Sequence, residues 1–104
     1  MGSIDQETNS KVSAKSRRKV SEPPMYKVLL HNDDYTTMEF VIEILMVIFK
    51  KPQEDAVRIM LNVHREGVGI CGVYPFETAE TKVESVHLLA KENGFPLKSS
   101  MEKE

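Results

Sequence analysis

Tyr26-Lys27-Val28-Leu29-Leu30-His31-Asn32-Asp33-Asp34-Tyr35-Thr36-Thr37-Met38 is the stretch from which the rest of the chain can be laid out. Its first five residues are mostly aromatic, branched or apolar and read as a short buried strand, which runs into a polar loop at His31 to Asp34. Thr36 or Thr37 is suited to cap a following helix, because a hydroxyl there accepts one of the unpaired N–H groups of the first turn. Glu39 then places a negative charge at the positive end of that helix. An amide and two adjacent carboxylates thus close an apolar strand where a helix begins. Such a cluster can bind a cation, ligate a metal or simply build the turn and cap the helix. A partner elsewhere has to choose among these readings, and His64 is the candidate.

Outward from this stretch, Phe40 to Phe49 is apolar except for Glu43. A membrane span needs roughly 20 such residues, so the segment is expected to be a buried helix and no span is expected. Lys50 and Lys51 are expected at its C-terminal end, and Pro52 at the first position of a second helix. Ala56, Ile59, Met60, Val63 and His64 recur at helical spacing, and Gly67 is placed to end that helix with a positive φ. Val68 to Tyr74 reads as a second strand, with Gly69 and Gly72 marking a bulge or a close approach of backbone, and Pro75 stops it. Glu77 and Glu80 open a third helix whose inner face is Ala79, Val83, Val86 and Ala90, and Asn93-Gly94 ends it. Pro96 to Met101 is a polar final strand, expected at a sheet edge. The fold class is therefore α+β: a small α/β sandwich with three helices packed on one face of a three-stranded antiparallel sheet, in the order β-α-α-β-α-β.

With 104 residues the chain is one domain at most. Its formal net charge of −2 hides an asymmetry. Residues 1–22 hold five basic and three acidic side chains, and the remainder nine basic and thirteen acidic. An acidic folded part argues against a nucleic-acid surface. Residues 1–24, poor in large apolar side chains and closed by Pro23-Pro24, are expected to be a flexible N-terminal extension, and residues 25–104 the core domain. The single cysteine, Cys71, has no internal disulfide partner. No apolar run near the start resembles a secretory signal, so the expected location is cytoplasmic.

Asn32, an Asp carboxylate and a neutral His64 together match what a primary ammonium group needs: acceptors for its three donors and an opposing charge. Leu30, Met38, Val41, Met60 and Val63 lie beside them in sequence and can line a pocket for one large apolar side chain. A site that reads both features at once would recognise the first residue of another protein.

Residues 25–41, together with Met60-Leu61-Asn62-Val63-His64, Gly69-Ile70-Cys71-Gly72-Val73 and Ala79-Glu80-Thr81-Lys82-Val83 in that order, strongly resemble the ClpS adaptor family over about residues 24 to 101. The resemblance implies an N-degron receptor and not an enzyme. Such a receptor captures proteins that begin with Leu, Phe, Trp or Tyr and delivers them to the Clp unfoldase–protease for ATP-dependent degradation. By the same resemblance Asn32, Asp34 and His64 hold the α-amino group, with Asp33 beside them engaging substrate backbone or the local turn. Leu30, Thr36, Met38, Val41, Met60, Val63 and Leu97 form the side-chain pocket, and Met38 gates it against β-branched Val and Ile. Glu77 and Lys82 face the N-terminal domain of a ClpA-type AAA+ unfoldase, and the extension assists delivery. No cofactor, metal, nucleic acid or membrane is implied, and the free adaptor is expected to be a monomer. Two positions depart from the family pattern: Thr37 stands where many relatives have proline, and His31 where an apolar residue is usual, next to the pocket wall.

Without the resemblance the same residues have plainer readings: a turn and helix start for Asn32 to Asp34, a core or boundary histidine, core methionines and a solvated helix face in Glu77 and Lys82. Three rivals are also open. Cys71 with His64 and an Asp can be read as a nucleophilic centre, and His31, Asp33, Asp34 and His64 as a metal site, although neither has a supporting signature. The third is an interaction module without degron function, because the C-terminal domain of the ribosomal stalk protein has a similar small α/β architecture.

Overall fold

A computed structural model describes residues 23–104, so the extension expected over residues 1–24 lies almost wholly outside the described residues. The element order is β1 (Met25–His31), α1 (Met38–Val47), α2 (Gln53–Glu66), β2 (Val68–Pro75), α3 (Phe76–Glu92) and β3 (Lys98–Lys103). β1 is central in an antiparallel sheet of order β2-β1-β3. The α+β sandwich expected from the sequence is the one observed.

Alternation along β1 divides the sheet into two faces. Val28 and Leu30 are fully buried on the helix-covered side, while Lys27, Leu29 and His31 are only half-buried on the other. The helices close the core with Phe40, Val41, Ile44 and Leu45 from α1, Ala56, Ile59, Met60 and Val63 from α2, and Ala79, Val86 and Ala90 from α3. α1 lies against α2 and meets the α3–β3 connection through Phe40 and Phe95, whose ring centroids are 4.8 Å apart.

The β2 glycines answer to geometry. The pairing passes from Val28↔Gly72 to Leu29↔Ile70, so Cys71 is the extra residue of a bulge. A Cβ on Gly69 would sit 2.7 Å from Val63 Cγ2, and one on Gly72 would run into the Tyr74 ring, so a larger residue at either position would have to displace those side chains.

Three boundaries differ from the sequence reading. α1 ends at Val47, before Lys50 and Lys51, because the chain must turn back to bury Phe49. Lys50 takes a φ of 57° in that turn and the Lys51 N–H bonds the Leu45 carbonyl at 3.1 Å. Pro52 is the N-cap of α2 rather than its first residue, and its carbonyl accepts from the Ala56 N–H at 2.9 Å. β3 begins at Lys98, two residues later than expected: Pro96 has no N–H to give a ladder, and Leu97 is drawn into the core. Its N-terminal end is held by α3 through His87 Nε2, which accepts from the Ser99 N–H at 2.9 Å. The Ser99 hydroxyl donates to the Leu29 carbonyl at 2.7 Å.

Candidate functional site

Thr37 is the N-cap of α1, its hydroxyl accepting from the Phe40 N–H at 3.1 Å. A proline here would lose that acceptor, so the threonine takes over helix initiation by a different route. Immediately before it, Asp33 is consumed by its own loop. One carboxylate oxygen accepts from the Tyr35 and Thr36 N–H groups at 2.8 and 2.7 Å, and the other from the Thr36 hydroxyl at 2.7 Å. Burial works against its charge. The bonds from the Thr36 backbone and hydroxyl and from the Tyr35 backbone outweigh this and hold the carboxyl below its ordinary 3.8. Of the two tasks expected of Asp33, the local turn is the one observed.

At the other side of the loop the Asn32 N–H bonds the Gly67 carbonyl at 2.9 Å. Gly67 caps α2 with a φ of 86°, a conformation glycine adopts without strain, and its N–H returns to the Val63 carbonyl at 2.9 Å. This tie fixes the end of β1 to the end of α2 and so brings Asn32 beside His64.

The result is a notch of about 230 Å³ lined by Asn32, Asp33, Asp34, Thr36, Met38, Val41, Met60, Val63 and His64. Asn32, Asp34 and His64 are exposed at its rim, and no hydrogen bond joins the Asp34 carboxylate or the His64 ring to another described residue. Val41, Met60 and Val63 are nearly fully buried and form its floor, and Met38, 44% exposed, stands at the mouth as the first residue of α1. Leu30 and Leu97 do not line the notch; they are core residues, 0% and 4% exposed.

A wider depression of about 960 Å³ runs along β2 and the outer side of α2, past Arg58, Asn62 and Glu66. It is a wide, open depression whose lining includes none of Asn32, Asp34 and His64, so the smaller notch is the better candidate. His31 belongs to that other side: its Nε2 lies 2.7 Å from the Ser100 hydroxyl on the open face of the sheet, and it does not line the notch.

The rival chemistries fare poorly. Among the described residues no three His, Cys, Asp or Glu side chains converge as a metal site, since His31 faces away and Asp33 is occupied. Cys71 is buried, 1% exposed, and burial pushes its thiol up to about 12, partly offset by Lys51; it is no nucleophile at neutral pH. No helix among the described residues is long and apolar enough to cross a membrane.

Glu77 is exposed in the first turn of α3. Lys82 is half-buried and turned inward, its Nζ donating to the Ile48 carbonyl at 2.8 Å. Five residues apart on a helix, the two side chains diverge by about 140° and do not form a pair on one face.

The family of the ATP-dependent Clp protease adaptor protein ClpS matches residues 21–100. The chain belongs to the ClpS family. It is 62% identical over 102 residues to the ATP-dependent Clp protease adapter protein ClpS of Desulforapulum autotrophicum, covering 98% of this chain and 94% of that one. The ClpS of Syntrophus aciditrophicus is 58% identical over 84 residues, 81% of this chain and 78% of its own. Among solved structures, Agrobacterium tumefaciens ClpS2 bound to L-phenylalaninamide superposes with a TM-score of 0.77 at 41% identity, over 79% of this chain and 99% of that one. As a ClpS adaptor the chain serves the Clp protease.

All nine residues of the notch were legible as site candidates in the sequence. What the sequence reading left unresolved was the division of labour: Asp33 shapes the loop, Leu30 and Leu97 are core residues outside the notch lining, and Lys82 reaches inward. The first has a sequence signal, an Asp three residues before a Thr at a helix start, which reads equally as a turn former.

Proposed function

We propose that this ClpS adaptor binds the free α-amino end of proteins that begin with Leu, Phe, Trp or Tyr and presents them to the Clp unfoldase, with no catalysis of its own. The observation that carries the reading is one small notch in which a carboxylate, an amide and an imidazole rim a buried apolar floor. The Asp34 carboxylate supplies countercharge to an ammonium, and the Asn32 carbonyl and a neutral His64 nitrogen accept its remaining donors. Val41, Met60 and Val63 receive the first side chain, whose burial contributes about 1.5–3 kcal/mol. In this reading Met38, at the mouth of the notch, meets a methyl on the β-carbon of Val or Ile and so excludes those residues. L-Phenylalaninamide, the ligand of the Agrobacterium ClpS2 structure, has a free amine, a large apolar side chain and an amide where a second residue would follow, and this chemistry supports the assignment.

Delivery to the N-terminal domain of a ClpA-type unfoldase through the α3 face that carries Glu77 is the corresponding docking proposal. The test is a fluorescence titration with peptides that differ only in residue one, followed by degradation of a Phe-initiated reporter by the assembled Clp machine with and without adaptor. Tight binding of the four bulky first residues and adaptor-dependent degradation are expected. Indifference to residue one overturns the reading.

A further inference from the structure

The two helices that wall the notch are hinged at its far end. α1 contributes Met38 and Val41, α2 contributes Met60, Val63 and His64, and residues 48–52 are the chain segment that joins the two packed helices. Within this elbow Phe49 is buried and Lys50 holds a left-handed φ of 57°, which residues with a β-carbon seldom adopt. Lys82 reaches in from α3. Its Nζ donates to the Ile48 carbonyl at 2.8 Å and lies 5.8 Å from the Phe49 ring centroid and 5.2 Å from that of Tyr74.

Each contact has a physical reason. Ile48 is the C-cap of α1, and its carbonyl is one of those a helix end cannot satisfy internally. A cation suits the negative end of the helix, and two aromatic faces favour it further. The sequence places Lys50 and Lys51 for this task, yet the early end of α1 leaves no basic residue in its last turn. Lys82 provides the charge from another element. It thereby joins the end of α1, the buried ring of the elbow and, through Tyr74, the end of β2.

We infer that Lys82 is a positioning residue for the notch: it fixes the angle between α1 and α2 and hence the gap that admits the first side chain. Met38 is the first residue of α1 and His64 lies in the last turn of α2, so both sit at the ends remote from the elbow. α1, with ten residues, is a lever about 15 Å long, and a small rotation at the elbow becomes a displacement at the mouth. The inference rests on the proposed reading of the notch as a first-residue pocket. It gives Lys82 a task that needs no unfoldase.

The test uses the full adaptor alone, so that a docking defect cannot affect the result. Lys82→Met keeps the stem but loses donor and charge; Lys82→Arg keeps both. Peptides beginning with Leu, Phe and Val are titrated against each, and amide hydrogen exchange is followed over residues 38–41 and 60–64 without peptide. The expected result is a Leu-over-Val preference that falls by about threefold or more in Lys82→Met and returns in Lys82→Arg, with faster exchange at those two segments. A loss of stability alone lowers all three affinities together and leaves the preference unchanged. A folded Lys82→Met protein with wild-type preference and wild-type exchange overturns the inference. If that variant does not fold, Lys82→Gln replaces it with the same two outcomes. Should the wild type bind none of the peptides, the first-residue reading fails, and the exchange comparison still decides whether Lys82 positions the helices.

Discussion

The two ends of the α1–α2 pair treat their polar groups in opposite ways. At the elbow the Ile48 carbonyl is bonded to Lys82 and the Lys51 N–H to Leu45, and the ring between them is buried. At the notch Asn32, Asp34 and His64 point their side chains to the rim, with no bond among described residues for the Asp34 carboxylate or the His64 ring. Water satisfies these exposed groups in the free protein, so they carry little strain. Their convergence above an apolar floor is what a ligand can use. The adjacent carboxylates sharpen the contrast: Asp33 is committed to three internal hydrogen bonds, whereas Asp34, one residue on, is left for the ligand.

This contrast can be broken most severely at the rim. Asp34→Ala combined with His64→Ala should abolish measurable capture of a Phe-initiated peptide while leaving the melting temperature within a few degrees. Each hydrogen bond to a charged group contributes about 1.5–3 kcal/mol, so losing two costs more than 100-fold by that estimate, and titration with thermal unfolding checks it. Asp33→Ala should do the reverse in part, lowering stability by about 1–3 kcal/mol in denaturant unfolding as it frees three donors, and weakening binding only through the loosened loop. Its titration gives the sign of an acid effect. The folded pKa lies below the ordinary 3.8, so the stabilisation is complete above that value and disappears as pH falls through the folded pKa. The wild type should therefore lose this contribution below about pH 4, whereas Asp33→Ala lacks it already at neutrality, so the stability gap between the two closes as the pH falls.

Met38→Ala is a finer change at the mouth. It should admit Val- and Ile-initiated peptides with a gain of about 1–3 kcal/mol over wild type, read by the same titration, while Leu changes little. A variant that still rejects both would place selectivity elsewhere. His64→Ala alone is a smaller test of the rim: it should weaken capture of a Phe-initiated peptide by roughly tenfold or more, the scale of one hydrogen bond to a charged group, read by the same titration.

Much of this architecture was legible because the local signals agree. The aromatic and branched run of Tyr26 to Leu30, the threonine cap, the glycine at position 67 and the helical spacing of Ala56, Ile59, Met60 and Val63 all point to the same fold. β3 was harder: Lys98 to Lys103 is almost wholly polar, and its position is set by His87 and the Ser99 bonds, which are tertiary. The residues alone left the choice between Asp33 and Asp34 open, and only the family resemblance separated them, because the choice depends on which carboxylate the loop turns inward. Lys82 reads as a surface charge in sequence, and only the early end of α1 gives it a partner 34 positions away.

The central claim is that one notch reads a free amine and a bulky apolar side chain together. It is tested most directly by titrating the adaptor with a Phe-initiated peptide and with the same peptide acetylated at its N-terminus. The account predicts tight binding of the free peptide and a loss of about 100-fold or more on acetylation, the scale of two or more charged hydrogen bonds. Equal affinity for the two would contradict it.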